Sequence, residues 1–261
     1  DESRGGFHVD LAAGSMAEAQ GASGDDTPFV YSGYVSYLAP VGNGIQVDAG
    51  KLPTPLGAEV IQAGGTYFVT IGNVFGLQPV VSTGVVASTQ ITDEIGFLFG
   101  VVNDVYSDTM VAQAQDKAYY GQFQYSGDMF NLNVGGIIGQ DAAACAAGQS
   151  AGCQTSVVDV VLSADPTENL SVWANFDWVH SGGQGTDNHG DAMGISVAGR
   201  LGISETMGVA SRVEYVWAED SLVDNTTAGT DDSEVVSLTT TLDKTLAEGL
   251  VAKLELRWDT Q

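Results

Sequence analysis

The chain has 261 residues, of which 44% are hydrophobic and 16% are charged, and its formal net charge is −25. Soluble domains carry about 25% charged residues, so this chain is poor in charge. Its 8 Lys and Arg against 33 Asp and Glu exclude nucleic acid as a partner, because so few bases cannot neutralise phosphates. No stretch approaches the roughly 18 uncharged apolar residues that a transmembrane helix needs.

Segments of about ten residues, in which apolar and polar residues alternate, follow one another from residues 6–13 to residues 249–259. The connections between them fall into two length classes that alternate along the chain. The short connections are residues 40–44, 92–94, 126–128, 165–169, 204–206 and 245–248. The long connections are residues 14–27, 53–78, 104–116, 140–154, 181–189 and 219–232. This rhythm predicts an all-β protein, a transmembrane antiparallel up-and-down β-barrel of about 13 visible strands that forms one domain over residues 1–261.

The last predicted strand shows the period of two that places one set of residues on each face of a sheet. Its apolar residues are Leu250, Ala252, Leu254, Leu256 and Trp258, and its polar residues are Lys253, Glu255, Arg257 and Asp259. A soluble β-sandwich would show the same period. The alternating connection lengths, the tryptophans beside the long loops (Trp178, Trp217 and Trp258) and the opposite charges along the polar faces favour a barrel in lipid.

The predicted number of strands is odd, although bacterial single-chain barrels have even numbers and keep both termini on the periplasmic side. The first predicted strand leads into a long loop and the last follows a short turn, so both run outward. We therefore expect at least one further strand after Gln261, residues missing at the N-terminus as well, and about 14–16 strands in the complete protein.

The long loops carry most of the acidic residues, in stretches such as 24–26, 187–191 and 219–234. These residues either keep the loops soluble outside the cell or bind divalent cations that bridge the loops to one another or to lipopolysaccharide. Cys145 and Cys153 lie in one long loop with no His or third Cys nearby. An oxidising exterior predicts a disulfide between them, with two free thiols as the alternative.

The sequence offers little for catalysis or for metal binding. Its three histidines are His8, His180 and His189, and His189 follows Asp187 in a Gly-rich loop. An isolated Asp-x-His is a weak metal motif, and no nucleophile, base and acid are arranged as a hydrolase needs. We expect no enzymatic activity, no catalytic residues, no cofactor and no metal.

The block from Gly50 to Glu59, with the sequence Gly-Lys-Leu-Pro-Thr-Pro-Leu-Gly-Ala-Glu, resembles a family of outer-membrane porins of Gram-negative bacteria known as putative β-barrel porins. That family has a Gly-Lys-aromatic-x-Thr-Pro-Leu-Gly-x-Glu stretch here. The late stretches 212–215 and 254–259 also fit the family pattern, whereas residues 63–70 lack its Ser-Arg pair. The resemblance implies a passive porin of about sixteen strands when complete, and it implies no particular substrate.

The loop of residues 53–78 is too apolar to extend into water outside the cell. Pro53 and Pro55 end the preceding strand, because proline supplies no ladder hydrogen bond. The loop either folds into the lumen, which would place Lys51 and Glu59 near a constriction, or forms an extra hairpin or packs on the rim of the barrel.

These observations predict an outer-membrane porin for passive diffusion of small solutes or ions. The residues expected to line the pore or its constriction are Asp48, Lys51, Glu59, Asp177, Arg200, Arg212, Glu214, Lys253, Glu255 and Arg257. Because charged rings favour counter-ions, the acidic loops predict a mild cation preference. The expected partners are outer-membrane lipid and lipopolysaccharide, small solutes or cations, and further copies of the chain in a trimer. The alternatives are a structural barrel that sheathes a partner protein or presents acidic surface loops, and a soluble all-β binding protein.

Overall fold

The computed structural model describes residues 4–13, 29–62, 64–106, 117–141, 153–182, 190–219 and 233–260. These residues form thirteen strands in a single antiparallel sheet, in which each strand pairs with its neighbours in sequence. The strands are β1 (Gly5–Ala12), β2 (Phe29–Ala39), β3 (Ile45–Pro53), β4 (Val81–Gln90), β5 (Ile95–Val102), β6 (Ala118–Ser126), β7 (Asn131–Gln140), β8 (Gln154–Thr167), β9 (Leu170–Gly182), β10 (Gly190–Ser204), β11 (Met207–Ala218), β12 (Ser233–Ala247) and β13 (Leu250–Asp259). The predicted all-β, up-and-down architecture and its strand number are confirmed.

Each even-numbered strand passes to the next strand through a short turn, as the sequence rhythm predicts. These turns are residues 40–44, 91–94, 127–130, 168–169, 205–206 and 248–249. The first and last strands begin within one residue of the predicted starts. Within the described residues β1 pairs with β2 alone and β13 pairs with β12 alone, so the sheet is not closed into a barrel.

The two faces of the sheet differ in polarity because side chains alternate along every strand. On β13, Leu254 and Leu256 are 69% and 76% exposed. On β11, Arg212 and Glu214 lie on the opposite face and are almost fully buried. We call the face that carries Arg212 the inner face and the apolar one the outer face. This distribution, with apolar side chains outside and ionic ones inside, is typical of a barrel that stands in lipid.

Helical structure is confined to a short 3-10 helix, Val74–Leu77, in the parts of the chain that the structure describes. No helix among these residues is long and apolar enough to cross a membrane.

Close contact between β2, β3 and β4 depends on a pair of glycines. Gly50 has φ +144° and lies directly opposite Gly84. A Cβ on Gly50 would come within 2.7 Å of the Cα of Tyr34 on the neighbouring strand. The backbone conformation and the short distance between strands therefore both require glycine at position 50.

We expect Gly50→Ala to lower the free energy of unfolding by about 1–3 kcal/mol, since it adds backbone strain and a steric clash. The matched control is Gly6→Ala on β1, where a Cβ would have no neighbour within 4 Å. Urea unfolding of the refolded protein measures both variants. Equal stability of the two variants would contradict the structural role of Gly50.

Candidate functional site

The connection between β3 and β4 lies against the inner face of the sheet. We call it the inner loop (residues 54–80, of which the structure describes all but residue 63). Near its start, the Nε2 of Gln122 on β6 donates to the carbonyl of Pro55 over 2.7 Å. The backbone N–H of Ala58 donates to the Oδ1 of Asn175 on β9 over 2.9 Å. The loop therefore contacts side chains that are far from it in sequence.

Apolar side chains of the inner loop pack into two places on the sheet. Leu56, Val74 and Leu77 join a buried cluster with residues of β5 to β11. Phe68 packs against Ala198 and Ala210, with Trp173 beside them. The small residues on β10 and β11 make room for the loop, and each fully buried large apolar side chain contributes about 1.5–3 kcal/mol. Trp173, which breaks the alternation of β9 in the sequence, faces inward to receive Phe68.

Arg212 on β11 forms the centre of the polar contacts. Its guanidinium is fully buried, pairs with the carboxylate of Glu59 in the loop, and places Nε 3.0 Å from Oε2 of Glu214. The Cζ of Arg212 also lies 4.5 Å from the ring centre of Phe68. Arg212 Nη1 donates to the carbonyl of Thr70 over 3.2 Å. One side chain thus contacts the loop at three separate residues.

The two carboxylates beside Arg212 also receive backbone donors from the loop. The N–H of Gly72 donates to Glu59 over 2.9 Å, and the N–H of Val74 donates to Glu214 over 3.2 Å. A Cβ at Gly72 would run into both carboxylates, so the close approach requires glycine. Burial raises the pKa of Glu59; the Arg212 guanidinium opposes this shift and the Glu214 carboxylate adds to it.

Strand β13 binds the middle of the inner loop through its charged inner-face residues. Glu255 accepts hydrogen bonds from the backbone N–H groups of Val69 and Thr70, over 2.6 and 2.9 Å. Lys253 donates to the carbonyl of Thr66 over 2.6 Å. Arg257 donates to the carbonyl of Ile71 over 2.8 Å and to the side chain of Asn73 over 2.7 Å.

The inner faces of β1 to β3 carry a different set of groups. Asp10 lies 2.8 Å from the Nε2 of His8 and accepts a hydrogen bond from Ser32 over 3.0 Å. Asp48 accepts hydrogen bonds from Ser36 and Gln46. The sequences of β1 to β4 contain one Lys and no Arg, so acids dominate this side of the sheet.

Most of the predicted pore residues lie on the inner face of the sheet or in the inner loop. Seven of them share the inner face of β9 to β13 or lie in the inner loop next to it: Glu59, Asp177, Arg212, Glu214, Lys253, Glu255 and Arg257. Arg200 also faces inward and binds Asp243 across two strands. Asp48 lies on the inner face at the other side of the sheet. Their role at a constriction stays a prediction.

Lys51 was predicted to line the pore, and this prediction is wrong. It pairs with Thr83 on β4 and Gly33 on β2, whereas the buried Leu52 and the inward Asp48 lie on the opposite face of β3. Since faces alternate, residue 51 stands on the outer face and Asp48 and Lys51 cannot both face inward. Lys51 was predicted as a pore residue because it belongs to the block Gly50–Glu59 that resembles the porin family, and the parity of β3 was not considered.

Several inner-face residues escaped the sequence analysis. Asp159, with its partner Asn175, and Asp243 are buried on the inner face, and Gln78 is buried in the inner loop. Asp159 stands in a run of valines, which hides the alternation, but its spacing of two residues from Val157 and Val161 places all three on one face.

The structure describes one of the two cysteines. Cys153 is buried just before β8, but Cys145 lies outside the described residues, so the disulfide stays a prediction. Within the described ranges no group of three or more His, Cys, Asp or Glu side chains is placed to hold a metal ion.

Comparisons with known proteins agree with this architecture. The family described as "Putative beta-barrel porin-2, OmpL-like" matches residues 1–261. The outer membrane channel DcaP of Acinetobacter baumannii has a similar structure (10% identity, TM-score 0.69, 97% of this chain and 73% of that chain). A loop L8 deletion mutant of OmpT, an outer membrane protein of Vibrio cholerae, is also similar (14% identity, TM-score 0.67, 90% of this chain and 76% of that chain). Comparison with curated proteins returns no match.

We expect Arg212→Gln to release the inner loop, because it leaves Glu59 and Glu214 buried without a counter-charge at a cost of about 3–5 kcal/mol. Phe68, which is almost fully buried, should then become a site of chymotrypsin cleavage. The control is Arg200→Gln, whose guanidinium is partly exposed and pairs with Asp243 on β12 rather than with a carboxylate of the inner loop. Identical digestion patterns for both variants would contradict the central role of Arg212.

Proposed function

We propose that this chain, which belongs to the OmpL-like putative beta-barrel porin-2 family, is a channel for passive diffusion of small solutes. Its location is the bacterial outer membrane, where the exposed apolar outer face contacts lipid. The porin family and the channel among its structural neighbours support transport rather than catalysis. Trimer formation and contacts with lipopolysaccharide stay predictions.

The observation that carries the proposal is the position of the inner loop. Polar contacts to β6, β9, β11 and β13 keep it against one side of the sheet. A segment of this size inside a barrel narrows the passage without filling it, so the open path lies beside β1 to β4. The loop weighs against a barrel that sheathes a partner protein, because it occupies the space that a partner would need.

The charges beside that path favour cations. Arg212, Lys253 and Arg257 on the far side are bound to the inner loop, and Arg200 is bound to Asp243. Asp10 and Asp48 stand on the side away from the loop, and their partners are the imidazole of His8, two serine hydroxyls and the amide of Gln46. An acid within a Debye length of about 8 Å of the path attracts cations at physiological salt. The proposed selectivity is therefore a mild cation preference.

We expect discrete conductance steps from the refolded protein in planar bilayers, with a reversal potential on the cation side in a salt gradient. The double variant Asp10→Asn, Asp48→Asn should lose most of this preference, whereas Asp93→Asn in the short turn after β4 should keep it. Selectivity that survives in the double variant would contradict the assignment of these two carboxylates.

The narrowing itself can be tested by shortening the inner loop at its tip. Replacing residues 60–69 with three glycines keeps Glu59, Thr70 and Gly72, which meet at Arg212. We expect a larger single-channel conductance than in the unaltered protein, because the tip no longer occupies the passage. An unchanged conductance from a correctly folded variant would show that the loop tip lies outside the conduction path.

A further inference from the structure

Two carboxyl groups face each other beneath the inner loop. Asp159 on β8 and Asp177 on β9 are direct partners in the register of the two strands, and both are fully buried. Because directly opposite residues on one face of a sheet have Cβ atoms about 4.5–5.5 Å apart, the two side chains lie within hydrogen-bonding reach of each other. Neither belongs to the group around Arg212, which lies on β11.

The donors that reach this pair are uncharged. The Nδ2 of Asn175 donates to Asp159 over 2.8 Å, and the Nε2 of Gln78 donates to Asp177 over 2.6 Å. The backbone N–H of Gly57 also contacts Asp159. On each of the two carboxyl groups, the remaining oxygen, Oδ1, accepts no hydrogen bond from a donor among the described residues.

The surrounding elements supply no positive charge. In the same row of the sheet the pair is flanked by Gly135 on β7 and Gly194 on β10. The adjacent rows on these four strands contribute only Asn133, Val161, Asn175, Ser196, Ile137, Val157, Val179 and Ala192. From the loop side come Gly57, Gln78 and the 3-10 helix, whose Leu77 and Val74 touch the position of Gly194. Tyr106 interacts electrostatically with Asp177, and also with Asp141 and Tyr120, and none of these groups is a cation.

Two adjacent carboxylates in a buried site with neutral donors cannot both stay ionised, because desolvation and mutual repulsion add. Hydrogen-bonding distance between the groups fits a proton. A calcium ion takes about six to eight oxygen ligands, whereas two of the groups that reach the pair are amide N–H donors. We propose that Asp159 and Asp177 share one proton, and that this carboxylic acid–carboxylate pair fastens Gln78 and the end of the inner loop to the wall, which makes the aperture of the channel sensitive to pH.

The direction of the pH response follows from charge. With the shared proton present, the pair carries one negative charge and Gln78 can donate to it without opposition. Loss of the proton at higher pH leaves two buried negative charges in contact. Their repulsion favours separation of the Asp159 and Asp177 side chains and release of the loop. The aperture is therefore narrow below the transition and wider above it. This part of the inference rests on the proposed channel function, whereas the shared proton does not.

Infrared spectroscopy of the folded protein in detergent tests the proton directly. At neutral pH we expect a carboxylic acid C=O band that disappears in Asp177→Asn and in the reciprocal variant Asp159→Asn. The band should remain in Asp243→Asn, whose carboxyl group is paired with the guanidinium of Arg200 and does not contact the pair. Absence of the band in the unaltered protein, or its appearance only after a chelator is added, would overturn the proposal, the second result by showing a metal ion at the pair.

Conductance against pH tests the consequence. The single-channel conductance of the unaltered protein and of Asp93→Asn should rise with pH, and this rise should be lost in Asp177→Asn. A rise that persists in Asp177→Asn would overturn the link between the pair and the aperture. A protein that shows the infrared band but no conductance would support the shared proton and refute the proposed channel.

Discussion

The burial of Arg212 between Glu59 and Glu214 is the interaction on which the position of the inner loop depends. Such a site adds little net stability compared with apolar packing, because removing three charges from water is costly. It is demanding in geometry, however, since loss of any member leaves a charge buried without its partner. The ring of Phe68 and the backbone donors of Gly72 and Val74 complete the site. The loop can meet all these requirements in one position only.

The outer face explains why so many polar groups are available inside. Lipid disfavours charged side chains on the outer face, so the strands direct most of them inward. A loop with little regular structure has the complementary need, because its backbone N–H and C=O groups require partners when buried. Glu255 satisfies two N–H groups, while Lys253 and Arg257 satisfy carbonyls. The inner wall and the inner loop thus satisfy each other's polar groups.

The strands could be predicted from the sequence because their period of two and the alternation of connection lengths are local signals. The same parity places Arg212 and Glu214 on one face of β11, where both are buried. The predicted inward position of Lys51 was wrong because it followed from the resemblance of residues 50–59 to the porin family, and not from the pleat of β3. Contacts such as that of Gln78 with Asp177, which are 99 residues apart, depend on the folded position of the loop. No local sequence pattern specifies such contacts, so these residues of the site could be identified only from the structure.

The charge that a permeating solute meets depends on which charged side chains are already paired with the inner loop, and not on the net charge of the chain. Holding the loop occupies Arg212, Lys253 and Arg257, all on strands that face it. The same contacts occupy Glu59, Glu214 and Glu255, so this side of the sheet is nearly balanced. Asp10 and Asp48 take no part in holding the loop, and no Lys or Arg on β1 to β4 faces them from the inner side. A loop fixed by bases on one wall therefore leaves acids to define the field on the other.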